Sequence, residues 1–429
     1  QPRGFLGFPL EFNGFQAILD QRRMTVGALE LVLVMLASAV VAVALFRLFE
    51  LPPVLGYLIV GFAIGPSALG WVPESEDAER LAEFGVVFLM FSIGLEFSLP
   101  KLFRMRRVVF GLGLAQVSAT LLIAVLVSLA AGLGWKPGFA IGGALAMSST
   151  AVVVRMMMER RQMDTPHGRE ILGVLLFQDL AVVPMLIIIP AIAGDPDQLT
   201  QRLGIAFAKA ALVLLVMLFV GQLVMRRWLH LVARRRAREL FVLNVLFVTL
   251  GLAWLTEQAG LSLALGAFLA GTLIAETEYK HQVEEDIKPF RDILLGLFFV
   301  TVGMKLAPAM VWDHIGWVIG LSLCLVVCKF ALIAALSRLF GGTSGTALRS
   351  GLALAQAGEF GLVLMVLAQE SLLLAPVPSQ VVIAAMLISM FMAPFLIQSS
   401  ERIVLRWSKN EWMLQSLALH KVAVQSIGI

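Results

Sequence analysis

Charge is what this chain has least of. Asp, Glu, Lys and Arg make up 14% of its 429 residues, against roughly a quarter in soluble proteins, which excludes a soluble domain of useful size. Cysteine is nearly absent too. Cys324 and Cys328 are the only two; they fall one helical turn apart in an apolar run, and a metal or redox centre would need more partners. Both read as packing residues. The five histidines, His167, His230, His281, His314 and His420, lie in predicted loops or the tail, so none supplies a base within an apolar span. One Asp alone interrupts those spans, whereas aspartyl chemistry wants two neighbouring carboxylates. No Thr-Val-Gly-Tyr-Gly filter of an ordinary potassium channel is present. The chain is therefore not expected to be an enzyme and needs no cofactor. Its net charge of +4 belongs to basic loops, not to nucleic-acid binding.

Apolar residues fill the space that charge leaves. They account for 59% of the chain, the mean hydropathy is +0.90, and runs of about 20 residues recur, each able to cross ~30 Å of hydrocarbon as a helix. Thirteen are countable: 27–46, 54–71, 84–99, 108–133, 138–158, 170–193, 204–225, 240–258, 261–275, 290–305, 315–338, 346–370 and 379–400. The expected fold is an all-α polytopic membrane protein with about 13 transmembrane helices in a lipid bilayer. Residues 1–23 lack the apolar stretch of a signal peptide and precede Met24; they read as an extension or expression remnant. Residues 24–400 form the transmembrane domain. Residues 401–429, with Trp407 and Trp412, read as an amphipathic linker at the membrane surface.

Lys and Arg mark cytoplasmic loops. Arg47, the group Lys101 to Arg107, the group Arg160 to Arg169, the group Arg226 to Arg238, and Arg338 with Arg349 fall in alternate loops. The loops between are poor in positive charge, as at Glu74, Glu76 and Asp77, or Asp195 and Asp197. Only the mixed-charge segment 276–292 departs from the alternation. The pattern places the N-terminus outside and the C-terminus in the cytoplasm.

Two stretches recur at one offset. Phe88 to Glu96 resembles Leu297 to Lys305, and Gly143 to Thr150 resembles Leu352 to Glu359, each 209 residues later. Seven spans separate the members of each pair, and an odd number means opposite orientation. Inverted repeats of this kind build secondary transporters, with the site near the midplane. The second pair carries small and polar residues inside spans: Ser148, Ser149 and Thr150 in the fifth, Gln356, Gly358 and Glu359 in the twelfth. Such residues either allow close helix packing or break the helix and free its termini to face ions. Matched positions favour two broken helices.

Asp179, in Leu-Leu-Phe-Gln-Asp-Leu-Ala-Val-Val-Pro, is the isolated acid. A carboxylate at bilayer depth costs roughly 2.5–3.5 kcal/mol on insertion scales and marks an ion or proton site by default. Ionised, it can hold a dehydrated monovalent cation in transient fashion; protonated, it releases that cation. Gln178 either supplies a carbonyl ligand or holds the carboxylate. Lys329, deep in the eleventh span, either pairs with Asp179 or snorkels to an interface. Glu359 fits a cap at a helix N-terminus.

These residues resemble a family. Phe177-Gln178-Asp179-Leu180, Ser148-Ser149-Thr150-Ala151, the run Gly296 to Met304, and Ala355-Gln356-Ala357-Gly358-Glu359-Phe360 are similar to signatures of Kef-type potassium efflux systems, within the second monovalent cation:proton antiporter family. The similarity runs from about Leu31 to Ser400. It implies a sodium/proton-antiporter-like fold over 24–400, a homodimer in the bacterial inner membrane, and exchange of K+ (favoured over Na+) for H+ by an elevator motion. It also implies a mobile core of spans 4–6 and 11–13, with Asp179 as carrier and Lys329 as core lysine. A gated potassium efflux channel and a transporter-derived sensor are the alternatives. His281, Glu284, Glu285 and Asp286 match a charged cytoplasmic loop tied in the family to glutathione gating, though several positions differ. The family usually carries a C-terminal nucleotide-binding regulatory domain, so a regulatory domain or subunit outside this chain is a further expected partner.

Overall fold

Hydrocarbon offers no partner for backbone N–H and C=O groups, so apolar runs of this length must satisfy them internally as helix. A computed structural model describes residues 28–48, 53–72, 76–96, 104–194, 199–216, 221–234 and 237–407. Among these the regular elements are helices alone. In chain order they are α1 (Ala28–Leu48), α2 (Pro53–Ile64), α3 (Glu76–Glu96), α4 (Val108–Ala130, opening on a π-helical stretch), α5 (Trp135–Ala146), α6 (Thr150–Glu159), α7 (Pro166–Ile192), α8 (Leu199–Val216) and α9 (Gln222–Ala233). There follow α10 (Arg238–Gln258), α11 (Leu263–Ala275), α12 (Lys280–Met304), α13 (Pro308–Asp313), α14 (Ile315–Leu339), α15 (Ser344–Leu354), α16 (Glu359–Glu370) and α17 (Pro376–Trp407).

The described part of each of the thirteen apolar runs carries helix. Among the described residues six stretches are long and apolar enough to cross a membrane unaided, and α15 with α16, bent by 46°, make a seventh. Thirteen crossings thus go beyond what length and composition alone give. Two boundaries differ from expectation. The second run, expected to reach 71, stops at Ile64, because Gly65-Pro66 follows and the residue before a proline avoids the α region. The segment 276–292 is no loop: α12 begins at Lys280 and runs unbroken through Pro289. The extension 1–23 and the tail beyond Trp407 lie outside the described residues; residues 401–407, expected to begin a linker, are the end of α17. Cys324 and Cys328 are exposed, with their sulfurs 3.7 Å apart, so neither packs into the interior of the chain.

Packing sorts most of the helices into two groups. In one, α3 lies against α11 and α12, α12 against α2, and α10 against α11. In the other, α4 and α5 pair, α14 pairs with α15 and α17, and α16 lies on α5 and α7. The inverted repeat is visible in the first group. A Cβ on Gly94 of α3 would sit 2.1 Å from the carbonyl oxygen of Phe268 on α11, and one on Gly303 of α12 would sit 2.2 Å from that of Leu58 on α2. Glycines 209 residues apart make the same backbone-to-backbone contact, with partners that fall within one residue of the same offset. The arginine-rich ends of the helices, at Arg160, Arg234 and Arg338, form a basic face.

Candidate ion-binding site

Two interrupted helices meet at the centre of the second group. Helix α5 ends at Ala146, Met147 and Ser149 are extended (φ −70°, ψ 144° and φ −71°, ψ 106°), and α6 restarts at Thr150 with the Ser149 hydroxyl accepting from Val152 N. Helix α15 ends at Leu354 and α16 restarts at Glu359 after an extended Gly358. Such breaks expose carbonyls at one helix end and N–H groups at the other, and this depth tolerates them only under a cover of protein. The two interruptions cover each other. A Cβ on Gly358 would lie 2.4 Å from the carbonyl carbon of Ser148, so the crossing needs glycine there. The Ser148 hydroxyl donates to Leu354 O at 3.0 Å.

Lys329 completes the crossing. Only 2% exposed, it donates from Nζ to Met147 O at 2.6 Å and to Gln356 O at 2.9 Å. It neither snorkels nor forms an ion pair with Asp179. A protonated amine between two carbonyl ends of helices is favoured by their partial negative charge. Glu359 is its counterpart: 5% exposed, it begins α16 and accepts from Ala151 N of α6 at 3.4 Å. Its carboxylate thus stands at two helix N-termini, as a cap should.

Gln178 faces the break as well. Its Oε1 accepts from Ser148 N at 2.8 Å, while Nε2 donates to Gln116 Oε1 at 2.8 Å and to Ser148 Oγ at 3.3 Å. These bonds fix backbone; none reaches the carboxylate of Asp179. Gln116, fully buried, in turn donates to Ala146 O at 3.2 Å. Ser389 on α17 accepts from Ala357 N at 3.1 Å. Sequence reasoning missed both residues. A lone glutamine within the fourth apolar run was a signal for Gln116; Ser389 left none.

Asp179 remains partly exposed on α7. Thr150, the first residue of α6, donates to its Oδ1 at 3.3 Å. The Gln356 side chain is fully buried, and neither its Oε1 nor its Nε2 has a hydrogen-bond partner. The structure thus brings together Ser148, Ser149, Thr150, Gln178, Asp179, Lys329, Gln356, Gly358 and Glu359. A cavity of about 510 Å³ approaches from the basic face, lined in part by Ala151, Arg155, Glu159 and Gln398. Two smaller clefts on the opposite face, of about 240 and 200 Å³, share Glu83 and Glu370.

The expected regulatory residues lie in the first two turns of α12. His281 and Glu285 are exposed, and Glu284 stands 3.9 Å from His281. Asp286 is buried and held by Arg238 of α10 at 2.8 Å.

Residues 35–399 match the family described as sodium/hydrogen exchanger, transmembrane. The chain belongs to that family. Within it, a putative K(+) efflux antiporter KefB of Alkalimonas amylolytica is 40% identical over 387 residues, covering 89% of this chain and 58% of the relative. K(+) efflux antiporter 1, chloroplastic, of Arabidopsis thaliana is 41% identical over 388 residues, covering 88% of this chain and 32% of the relative. This exchanger-family chain therefore spans a third to three-fifths of the curated relatives' length. In fold it is similar to the sodium proton antiporter MjNhaP1 of Methanocaldococcus jannaschii, with a TM-score of 0.66 at 17% identity, over 87% of this chain and 97% of that one. The Kef-type resemblance stands, and the relatives named are transporters rather than enzymes.

Proposed function

We propose that this multi-pass membrane protein exchanges a monovalent cation for protons, with Asp179 as the shared carrier. The observation that carries the reading is the position of Asp179. It is a partly exposed residue beside the crossing of two broken helices, with Lys329 committed elsewhere and Thr150 as its side-chain donor at 3.3 Å. A carboxylate so lightly held can take up a proton or a cation, but not both at once. That competition is the core of an antiport cycle.

K+ is the favoured cation, because the curated relatives are named K(+) efflux antiporters. An elevator motion of the broken-helix group against the other fits the division of the packing and the cavity open to one face. By the charge rule that face is cytoplasmic; the family resemblance adds a bacterial inner membrane and a homodimer. His281, Glu284 and Glu285 then present a charged surface to a cytoplasmic regulatory domain or subunit.

The test is proton movement in liposomes, followed with a pH-sensitive dye on addition of K+, Na+ or Li+, for the native chain and Asp179→Asn. Cation-dependent movement in the native protein and none in the variant is the expected result, and the cation ranking identifies the substrate. Equal exchange by both proteins would overturn the assignment of Asp179.

A further inference from the structure

The helices that carry Asp179 and Lys329, and the helix α15 that leads into the break at Gln356, meet again near the basic face. Glu170 lies nine residues before Asp179 on α7, Ser337 eight after Lys329 on α14, and Ser350 six before Gln356 on α15. At 1.5 Å per residue this is a layer roughly 10–13 Å from the central site. Ser337 and Ser350 flank the Glu170 carboxyl group and are themselves fully buried. Even so, Glu170 Oε1 and both hydroxyl oxygens stop short of a direct, well-aligned hydrogen bond. Gly342 closes the layer: a Cβ there would sit 2.5 Å from Ser337 Oγ and 3.3 Å from Glu170 Oε2.

Among the described residues Glu170 takes part in no ion pair, although arginines are near in sequence. Arg349 is engaged by Glu401 at 3.2 Å, and Arg338 by the carbonyl of Gly342 at 2.8 Å. A half-buried carboxylate without a counter-charge is costly, and proteins resolve such cases by pairing or by a bound cation. The donor set decides between cations. One anionic oxygen and two neutral hydroxyls, with no nitrogen or sulfur, suit a hard ion. A single negative charge matches one positive charge, whereas a divalent ion calls for more carboxylates.

We propose that Glu170, Ser337 and Ser350 form a second monovalent-cation site, on the basic-face side of the core and separate from the one at Asp179. Cations leaving or entering through that face meet it on the same helices. Its occupancy ties α7, α14 and α15 together below the crossing.

The experiment is thermal stabilisation of the purified full chain by RbCl, with choline chloride at equal ionic strength as reference. Ligands that bind only the folded state raise Tm with their concentration. The Asp179→Asn protein is expected to keep a saturable Rb+-dependent rise, and Asp179→Asn/Glu170→Gln to lose it. Ser350→Ala in the Asp179→Asn background should raise the half-maximal Rb+ concentration roughly fivefold, the worth of one hydrogen-bonding group.

Identical Rb+ responses of Asp179→Asn with and without Glu170→Gln would overturn the site. So would a Tm raised by Glu170→Gln itself with no Rb+ dependence, the mark of a buried acid that merely holds a proton. Tm in choline chloride reports whether Glu170→Gln folds; if it does not, Ser337→Ala and Ser350→Ala carry the test, and unchanged Rb+ curves in both overturn it. A response lost in Glu170→Gln yet untouched by Asp179→Asn would sink the central carrier reading and leave this one standing.

Discussion

Met147 and Gln356 offer their backbone carbonyls to the same ammonium group, that of Lys329, at 2.6 and 2.9 Å. They are 209 residues apart, the offset of the inverted repeat, so the lysine ties equivalent points of the two halves. A side chain from one half therefore serves both interruptions, and the crossing depends on a contact with no symmetric counterpart.

Lys329→Met should accordingly act as a structural lesion. It leaves two buried carbonyls without a donor, at about 1–3 kcal/mol each, and a clear fall in Tm is expected. Were Lys329 the counter-charge of Asp179, removing both charges would restore stability. Here Lys329→Met/Asp179→Asn is expected to be no more stable than Lys329→Met alone. Restoration of Tm in the double variant would refute the cross-tie.

Gln116 and Gln178 should behave as one unit. Each holds a backbone group at the end of α5, and they hydrogen-bond each other at 2.8 Å. A double-mutant cycle with Gln116→Leu and Gln178→Leu should give a coupling of about 0.5–3 kcal/mol in stability. The liposome assay adds a second readout. Gln178→Leu should slow exchange of every cation without reordering them; a changed ranking would make Gln178 a ligand after all.

Much of this was readable from residue types, and the part that was not has a common cause. Asp179 stands out because a charge in an apolar run has no bland explanation. The broken pair stands out because small and polar residues recur at one offset. The partners of Lys329 could not be read, since both are backbone carbonyls and any residue type supplies one. Gln178 was legible as important but not in role, because its partner Ser148 N belongs to the break between α5 and α6, 30 residues away in sequence. The segment 276–292 misled in the other direction. Its charges and Pro289 look like loop, yet from Lys280 onward they sit on a helix, with Glu285, Lys288 and Asp292 exposed and Asp286 buried against Arg238.

Glu359 offers a division between charge and shape. Glu359→Gln keeps an oxygen for Ala151 N but removes the negative charge from two helix N-termini, a loss of about 0.3–2 kcal/mol. Glu359→Ala loses the acceptor as well and should lower Tm further. Equal Tm for the two variants would mean that the hydrogen bond at 3.4 Å contributes nothing.

Gly358 provides the sharpest test of the crossing. An alanine Cβ there would stand 2.4 Å from the carbonyl carbon of Ser148 and 2.5 Å from its oxygen, and backbone atoms cannot turn aside as a side-chain tip can. The two interruptions would have to separate. Separation would draw Thr150 from Asp179 and Met147 O from Lys329, so both stability and exchange should fail together. Overpacking of this kind costs about 1–3 kcal/mol or more. Gly251 on α10 is the control: a Cβ there meets nothing within 4 Å, and Gly251→Ala in a helix interior should leave exchange intact and raise stability by about 0.4–1 kcal/mol. A Gly358→Ala protein with native Tm and native exchange would mean that the interrupted helices are free to part, and that their contact does not hold the carrier site.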